Sequence, residues 1–287
     1  MHRFFRALTV TALAVGAADV WLTSGLAAAQ TPAATRNAWS PARLPDGQPD
    51  IQGEGFWSAD IGTDEADDIE KGSDVLHAKM AGRPVVSSDM IVDPPDHRIP
   101  YTPAAAAIKN RRYENRHASN DKLRDPIARC LLAGVPRFEF LQPFRIIQTP
   151  GYVLFLYQYE HAFREIPLDG RPHLAENIKL WRGDSRGRWE GNTLVVETTN
   201  FNRRNHWGYN NRYTSEAFRL TERFTPMGPD RLLWEVTMDD PQTWVRPWTF
   251  AMPLSRNGGH AVFEYACHEG NYGLVNILSG ARAEEKR

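Results

Sequence analysis

The stretch that decides the fold is residues 144–167, FRIIQTPGYVLFLYQYEHAFREIP. Apolar and polar side chains alternate in the segments 144–149 and 152–159, and a Pro-Gly pair separates the two segments. Such alternation is typical of strands with one buried face, and a Pro-Gly pair is a turn signal. The stretch therefore predicts a β-hairpin that is followed by a third strand over residues 162–167.

The same pattern continues toward the C terminus. Further short alternating segments, each next to a turn signal, cover residues 186–190, 193–199, 218–224, 232–238, 246–254 and 261–267. Together they make about nine strands in sequential hairpins, which exclude a parallel α/β sheet. We predict a mainly β protein in which an antiparallel meander closes into a lipocalin-like β-barrel. A barrel of this size has room for one small ligand in its mouth.

The region before the predicted barrel is different in composition. Residues 30–143 are rich in proline, glycine and aspartate and show little periodicity. One short helix is credible there, because Thr102 suits an N-cap and Pro103 suits the first helical position. We predict an irregular arm or lid with one helix over 30–143, and the β-barrel over 144–287.

The first 29 residues have the order of a secretory signal. Cations come first, an apolar stretch over 7–28 follows, and small residues precede Gln30. This order predicts a cleaved signal peptide over 1–29, a periplasmic or secreted mature protein, and no membrane span after cleavage. A retained membrane anchor is the alternative, because the apolar stretch comes close to the length that spans a bilayer.

Charge and cysteine content narrow the possible partners. The 34 lysines and arginines nearly balance the 35 acidic residues, so the composition excludes nucleic acid as an expected partner. The oligomeric state is left open. Cys130 and Cys267 are the two cysteines of the chain, and an even number in an exported protein predicts one disulfide between them. A nucleophilic cysteine is the alternative.

Two charged residues share a strand face with apolar residues. Glu222 alternates in register with Leu220 and Phe224, and Arg246 alternates with Trp248. A charge that faces a core needs a partner, because an unpaired buried charge costs several kcal/mol. We predict that Glu222 and Arg246 face one cavity. Their pairing is either a structural salt bridge or part of a pocket in which Arg246 binds an anion and Glu222 moves a proton.

Other candidate site residues lie in loops and on neighbouring strands. His161 lies in a connection between strands, and His173 follows a turn, so either histidine can reach the barrel mouth as a general base. Aromatic residues predicted to bind a flat substrate are Tyr157, Tyr159, Trp244 and Trp248. Surface and turn positions for the histidines, and core packing for the rings, are the simpler alternatives.

No metal or cofactor is expected. The histidines do not form the short spacings that place two metal ligands on one face, so we predict no metal site. The chain also has no glycine-rich phosphate loop, no dinucleotide fingerprint and no nucleophile elbow. Nucleotide cofactors are therefore not expected.

Several motifs carry a family resemblance. They are LPDGQPDIQG at 44–53, ARCLLAGVPR at 128–137, DGRPH at 169–173, GRWEGNTLVV at 187–196, TERF at 221–224 and DDP at 239–241. On these motifs the chain resembles a large family of exported bacterial β-rich proteins of unassigned function. The resemblance covers nearly the whole chain after the signal, and it implies export and a common fold.

Three functional hypotheses follow. The first is a periplasmic, cofactor-independent lyase or hydrolase that acts on a small aromatic or carboxylated molecule in a barrel pocket by general acid/base catalysis. The second is a non-catalytic, lipocalin-like carrier of a hydrophobic or aromatic ligand. The third is a structural envelope protein whose arm mediates assembly. A buried Glu222 beside a histidine favours the enzyme, and a cavity without an ionisable pair favours the carrier.

Overall fold

A computed structural model describes the greater part of the chain after its first 38 residues. The described residues are 39–59, 69, 90–115, 118, 125–141, 143–204, 206–208, 212–258 and 262–286. The predicted signal peptide over 1–29 lies outside them. No helix in these ranges is long and apolar enough to cross a membrane.

The protein is mainly β, as predicted. Ten strands form one antiparallel sheet, and these are β1 (Phe56–Ala59), β2 (Ile91–Asp93), β3 (Phe144–Thr149), β4 (Tyr152–Tyr157), β5 (Phe163–Pro167), β6 (Asp184–Glu190), β7 (Thr193–Thr199), β10 (Arg219–Gly228), β11 (Arg231–Asp239) and β12 (Trp248–Asn257). A separate ribbon pairs β8 (His206–Gly208) with β9 (Arg212–Tyr213). The α-helices are α1 (Pro103–Glu114), α2 (Arg137–Leu141) and α3 (Tyr272–Glu284).

The sheet is nearly closed into a barrel, which confirms the predicted fold class. Its strand order is β5-β4-β3-β1-β12-β11-β10-β7-β6. The two ends of this order meet where Arg164 Nε of β5 donates a hydrogen bond of 2.9 Å to Ser185 Oγ of β6. Gly187 of β6 permits the close approach, because a Cβ at this position would lie 2.6 Å from a methyl carbon of Ile166.

The predicted arm contributes strands to the barrel. β1 pairs with the C-terminal half of β12 and with β3, and β2 pairs with Thr249 and Phe250 of β12. The barrel is therefore not built from residues 144–287 alone. The predicted helix is confirmed as α1, where the side chain of Thr102 accepts a hydrogen bond from Ala105 N at 3.2 Å.

Aromatic side chains fill much of the barrel interior. Phe155, Phe224 and Trp234 are fully buried and pack on one another, with ring centroids 5.2 Å apart for Phe155 and Phe224 and 6.1 Å apart for Phe224 and Trp234. Stacked and edge-to-face rings at such separations are favourable packing. The interior around these rings is therefore a packed core.

The C-terminal segment departs from the prediction in one respect. The strand predicted over 261–267 is wrong, because residues 262–267 pair with no strand and α3 follows them. The segment packs instead through Tyr265, whose ring centroid lies 4.7 Å from that of Tyr159. The predicted disulfide is confirmed, and it joins Cys130 to Cys267 with a Cα–Cα distance of 5.6 Å.

Candidate functional site

A cleft of about 510 Å³ lies outside the barrel, between α1, the β8–β9 ribbon and the turn that precedes β12. We call it the α1 cleft. Its lining includes the aromatic residues Tyr101, Trp207 and Tyr213, the cations Lys109 and Arg112, and the hydroxyl residue Thr214. Arg203 adds a third cation, and none of the described lining residues is acidic. The cleft thus combines aromatic faces with positive charge.

One face of α1 supplies two of the cations. Ala105, Ile108, Lys109 and Arg112 lie three or four residues apart in the helix, so they share a face. The Nζ of Lys109 lies 4.9 Å from the centroid of Tyr101, and the guanidinium carbon of Arg112 lies 3.8 Å from the ring centroid of Tyr213. Both are cation–π distances. Burial lowers the pKa of Arg112, and a stacked ring partly compensates the lost hydration.

A buried carboxylate holds the opposite rim of the cleft. Asp240 is 1 % exposed and accepts hydrogen bonds from Ser215 N at 2.6 Å, Ser215 Oγ at 2.7 Å and Thr243 Oγ1 at 2.7 Å. It also accepts one from the backbone of Gln242 at 3.1 Å. A carboxylate with four donors is well compensated for its burial. Asp240 therefore holds Ser215, which follows the ribbon, at a fixed distance from the turn that contains Gln242 and Thr243.

Thr214 lines the cleft and has a buried hydroxyl group that no described residue hydrogen-bonds. Its side chain is 6 % exposed, and its hydroxyl has no hydrogen-bond partner among the described residues. A buried hydroxyl without a partner costs about 1–3 kcal/mol. Such a group in a cleft is therefore a place where a ligand can form the missing hydrogen bond.

Packed rings form the wall behind the cleft. The ring of Trp207 lies 6.2 Å from that of Trp244 and 5.4 Å from that of Trp248, both as edge contacts. His206 is 2 % exposed and packs on Tyr213 at 3.8 Å. Burial first, and then the positive charges of Arg137, Arg112 and Arg129, lower the pKa of His206 to about 2. The imidazole is thus neutral.

A second polar cluster lies inside the barrel, and we call it the buried acid cluster. It consists of Glu139 of α2, Arg164 of β5 and Glu222 of β10, all 4 % exposed or less. Arg164 donates to Glu139 Oε1 at 2.9 Å through Nη1 and forms an ion pair with Glu222 through Nη2. One guanidinium therefore faces two carboxyl groups.

Hydroxyl groups and a ring nitrogen complete the cluster. Tyr157 donates to Glu139 Oε1 at 2.6 Å, and Trp234 Nε1 donates to Glu222 Oε1 at 3.3 Å. Arg164 also donates to Ser185 Oγ at 2.9 Å and to Thr198 Oγ1 at 2.8 Å. Glu139 Oε2 has no partner among the described residues.

Glu139 holds a proton at neutral pH. Burial and then the negative charge of Glu222 raise the pKa of Glu139, Arg164 and Tyr157 lower it, and the net pKa is about 8. Arg164 cannot neutralise two carboxylates at once, and an uncompensated buried charge is costly. The cluster is therefore a Glu222–Arg164 ion pair with a protonated Glu139 beside it.

The buried acid cluster lies next to a surface opening where β5 and β6 meet. This seam cleft has a volume of about 320 Å³, and its lining includes Arg164 and Ser185 of the cluster together with Arg171, Arg182 and Arg186. Burial lowers the pKa of Arg182, whose guanidinium carbon lies 6.0 Å from the ring centroid of Phe138. The opening is therefore rich in arginine.

The prediction that Glu222 and Arg246 face one cavity is wrong. Arg246 lies in a surface turn before β12, because Pro247 ends the alternation that the sequence suggested. Its guanidinium binds Asp93 with contacts of 2.9 Å and 3.0 Å. Arg164 takes the predicted place beside Glu222, and its alternation with the buried Ile166 on β5 was the sequence signal for it.

Arg246→Met is accordingly expected to leave the urea unfolding midpoint unchanged within experimental error. The Arg246–Asp93 pair is exposed on both sides, and such pairs contribute little. Urea unfolding of the variant and of the unsubstituted protein checks the expectation. A large fall in the midpoint would show that Arg246 has a buried role.

The two predicted histidines do not meet Glu222 in any described contact. His173 Nδ1 lies 3.0 Å from Asp184 Oδ2, and Asp184 also binds Arg186 at 2.7 Å. His161 Nε2 accepts a hydrogen bond from Tyr265 N at 3.2 Å, near the disulfide. General base roles for these histidines stay predictions, and no described hydrogen bond or ion pair joins either histidine to Glu139, Arg164 or Glu222.

The four predicted aromatic residues are all buried. Tyr157 binds Glu139 inside the barrel, and Tyr159 packs against Phe138 at 5.9 Å between ring centroids. Trp244 and Trp248 lie behind Trp207 rather than on the cleft surface. Sequence reasoning missed Glu139, Arg164 and the residues of the α1 cleft.

A scan against protein-family models finds no match for this chain, and a search of curated proteins also finds none. Fold and site together define the class of protein. It is a nearly closed antiparallel β-barrel with a disulfide, a buried acid cluster and a cationic, aromatic cleft outside the barrel.

Proposed function

We propose that the protein binds a small, flat anion, such as an aromatic carboxylate or phenolate, in the α1 cleft. The Thr214 hydroxyl carries this proposal, because it is buried without a partner among the described residues and Thr214 lines a cleft that three cations also line. A volume of about 510 Å³ suits a small ligand. The ligand is the small aromatic or carboxylated molecule of the first hypothesis, the binding role is that of the carrier hypothesis, and the α1 cleft lies outside the barrel.

Each part of the cleft matches one part of such a ligand. Lys109 and Arg112 favour a carboxylate or phenolate by charge, and Thr214 can donate a hydrogen bond to the same group. The rings of Tyr101, Trp207 and Tyr213 line the cleft and provide apolar contact surface for an aromatic ring. Since no described lining residue is acidic, an organic cation is disfavoured.

Lys109→Met is expected to weaken the binding of benzoate roughly tenfold to a hundredfold, because a charge-assisted contact contributes about 1.5–3 kcal/mol. Isothermal titration calorimetry with benzoate, its neutral amide and acetate measures both the charge and the ring requirement. Arg111→Met is the matched control, because Arg111 lies on the exposed side of the same helix and does not line the cleft. Equal losses in the two variants, or tighter binding of the amide, would contradict the proposal.

Thr214→Val is expected to change binding and stability in opposite directions. The substitution removes a buried hydroxyl that has no described partner, so the ligand-free protein should gain roughly 1 kcal/mol of unfolding free energy or stay unchanged. Benzoate affinity should fall roughly fivefold, as the loss of one hydrogen bond predicts. Unfolding with and without benzoate measures both. If Thr214→Val binds benzoate as tightly as the unsubstituted protein, the Thr214 hydroxyl does not contact the ligand.

A second candidate is the enzyme hypothesis, now at the seam cleft. Glu139 lies directly behind Arg164, which lines that cleft, and at neutral pH it holds a proton that a general acid requires. A carboxylated substrate bound by Arg182 or Arg186 would lie close to this acid. A protonated acid beside an arginine-lined cleft favours general acid catalysis on an anionic substrate, which is chemistry that a lyase or hydrolase can perform without a cofactor.

The test of the enzyme candidate is turnover of small carboxylated aryl esters, followed by release of the phenol. Activity that Glu139→Gln abolishes while the fold is retained would support catalysis at the seam cleft. Activity that Glu139→Gln leaves unchanged would exclude Glu139 as its acid. Binding in the α1 cleft is measured separately, so the two candidates succeed or fail independently.

We further propose that the protein acts in the periplasm or outside the cell and belongs to the exported family that its motifs resemble. The Cys130–Cys267 disulfide supports an oxidising compartment. Cell fractionation with N-terminal sequencing tests this, and the expected mature terminus is Gln30. A cytoplasmic, uncleaved protein would contradict it.

A further inference from the structure

The disulfide lies in a polar surrounding that a purely structural bridge does not need. Cys130 is 5 % exposed and directly follows the short 3-10 helix Pro126–Arg129, with a φ of 50°. Cys267 is partly exposed and is flanked by exposed residues. A carboxylate oxygen of Glu160 lies within 4.8 Å of both sulfur atoms. The carboxyl group of Glu160 therefore lies beside the disulfide.

Glu160 is held at this position against the preference of its backbone. Glu160 and His161 both have positive φ values, 55° and 49°, which side chains other than glycine rarely adopt. Glu160 Oε1 is buried and has no hydrogen-bond partner among the described residues. The segment thus places the Glu160 carboxyl group next to the disulfide. The Oε1 atom of this group forms no hydrogen bond with any described residue.

A second polar group contacts the buried sulfur. Asn271 Nδ2 donates to Cys130 Sγ at 3.2 Å, and Asn271 is also the N-cap of α3, where its Oδ1 accepts from Leu274 N at 3.4 Å. An amide donor and the N-terminal end of a helix both stabilise negative charge on sulfur. Cys130 is therefore the sulfur better suited to leave as a thiolate.

Exposure distinguishes the roles of the two sulfurs. An incoming thiolate can reach the partly exposed Cys267 more easily than the buried Cys130. Burial raises the pKa of Glu160, while the nearby His268 and His161 lower it. Tyr159 and Tyr265 also face Glu160. The carboxyl group is thus protonated at a higher pH than an exposed glutamate.

We propose that Cys130–Cys267 is a reactive disulfide that exchanges with small thiols, with Glu160 as its proton donor and acceptor. A thiolate attacks Cys267 Sγ, the S–S bond breaks, and Cys130 leaves as a thiolate that takes the proton of Glu160. A second thiol then attacks the mixed disulfide at the sulfur of the bound small thiol and releases Cys267. In total, one protein disulfide and two small thiols are converted into one protein dithiol and one small disulfide.

The test is the rate at which glutathione reduces the bridge in the folded mature protein, followed by alkylation and mass spectrometry. Rates divided by the glutathione thiolate concentration should decrease with rising pH as Glu160 loses its proton. Glu160→Gln should be slower at the acidic end by roughly a hundredfold and should show no such decrease. Circular dichroism confirms that each variant is folded.

Three further variants separate chemistry from structure. Glu160→Asp should restore part of the rate because it keeps a carboxyl group. Asn271→Asp keeps the capping oxygen but loses the amide donor to Cys130, so it should slow reduction without unfolding α3. Glu269→Gln, an exposed acid on the same segment, is the control and should change nothing. Identical rates and pH profiles for Glu160→Gln and the unsubstituted protein would overturn the proposal, as would a bridge that glutathione does not reduce in the folded state.

Discussion

Arg164→Met is expected to lower the free energy of unfolding by about 3–5 kcal/mol, because it leaves two buried carboxyl groups without their cation. Arg164 binds both Glu139 and Glu222, and it also donates to Ser185 and Thr198 across the seam of the barrel. Its loss therefore removes charge compensation and a contact that joins β5 to β6. Urea unfolding at neutral pH measures the effect.

Two comparison variants make this expectation specific. Arg188→Met removes an arginine on the outer side of β6 that pairs with Glu190 and Glu197, and it should change stability little because these pairs are exposed. Adding Glu139→Gln and Glu222→Gln to Arg164→Met should recover a large part of the loss, because no buried charge then remains. If Arg164→Met were as stable as Arg188→Met, the cluster would not hold the barrel closed.

The second large effect is a loss of stability with rising pH. The folded pKa of Glu139, about 8, is above its unfolded value near 4.5, so the folded state binds one more proton between these values. The stabilisation is fully present below about pH 4.5 and is lost progressively as the pH rises to about 8. The loss of unfolding free energy from this one group is at most about 1.4 kcal/mol per pH unit.

Glu139→Gln isolates this contribution. The amide resembles the protonated acid, and its oxygen can still accept from Tyr157 and Arg164. The variant should therefore lose the downward slope and become at least as stable as the unsubstituted protein near pH 8. Urea unfolding across the pH range is the measurement, with Glu197→Gln as an exposed control that keeps the slope. Parallel curves for Glu139→Gln and the unsubstituted protein would mean that Glu139 is ionised in the folded state.

The barrel could be predicted because its signals are local. Alternation and turn residues identified eight of its strands near their observed bounds, and for Glu222 the predicted inward orientation is confirmed by complete burial. β1 and β2 have four and three residues, too few to show alternation. Their pairing with β12 depends on contacts between residues far apart in sequence.

The site was less predictable for the same reason. Arg164 could have been recognised, since it alternates with Ile166 on β5 as Glu222 does with Leu220 on β10. The contact of Arg112 with Tyr213 could not, because it joins a helix to a distant ribbon and neither residue carries a local pattern that indicates the other. Lys109 and Arg112 also lie toward the C-terminal end of a helix, where the helix dipole favours cations. Their positions therefore have an explanation that involves no ligand, and nothing in the sequence indicates that they line a cleft.

The barrel and the cleft are connected through packing. Trp248 is part of the inward face of β12 and contacts Trp207, which lines the α1 cleft. Asp240 follows β11 directly and fixes the rim formed by Ser215 and Thr243. A rigid barrel therefore holds one side of the cleft in place, which favours a preformed site over one that assembles around its ligand.

The most direct test of the proposed function is a crystal structure of the mature protein with para-iodobenzoate, in which anomalous scattering locates the iodine. We expect one iodine peak in the α1 cleft, with the carboxylate about 3 Å from the Thr214 hydroxyl and next to Lys109 or Arg112. An empty α1 cleft in crystals that hold the ligand elsewhere, or that do not bind it at all, would contradict the account.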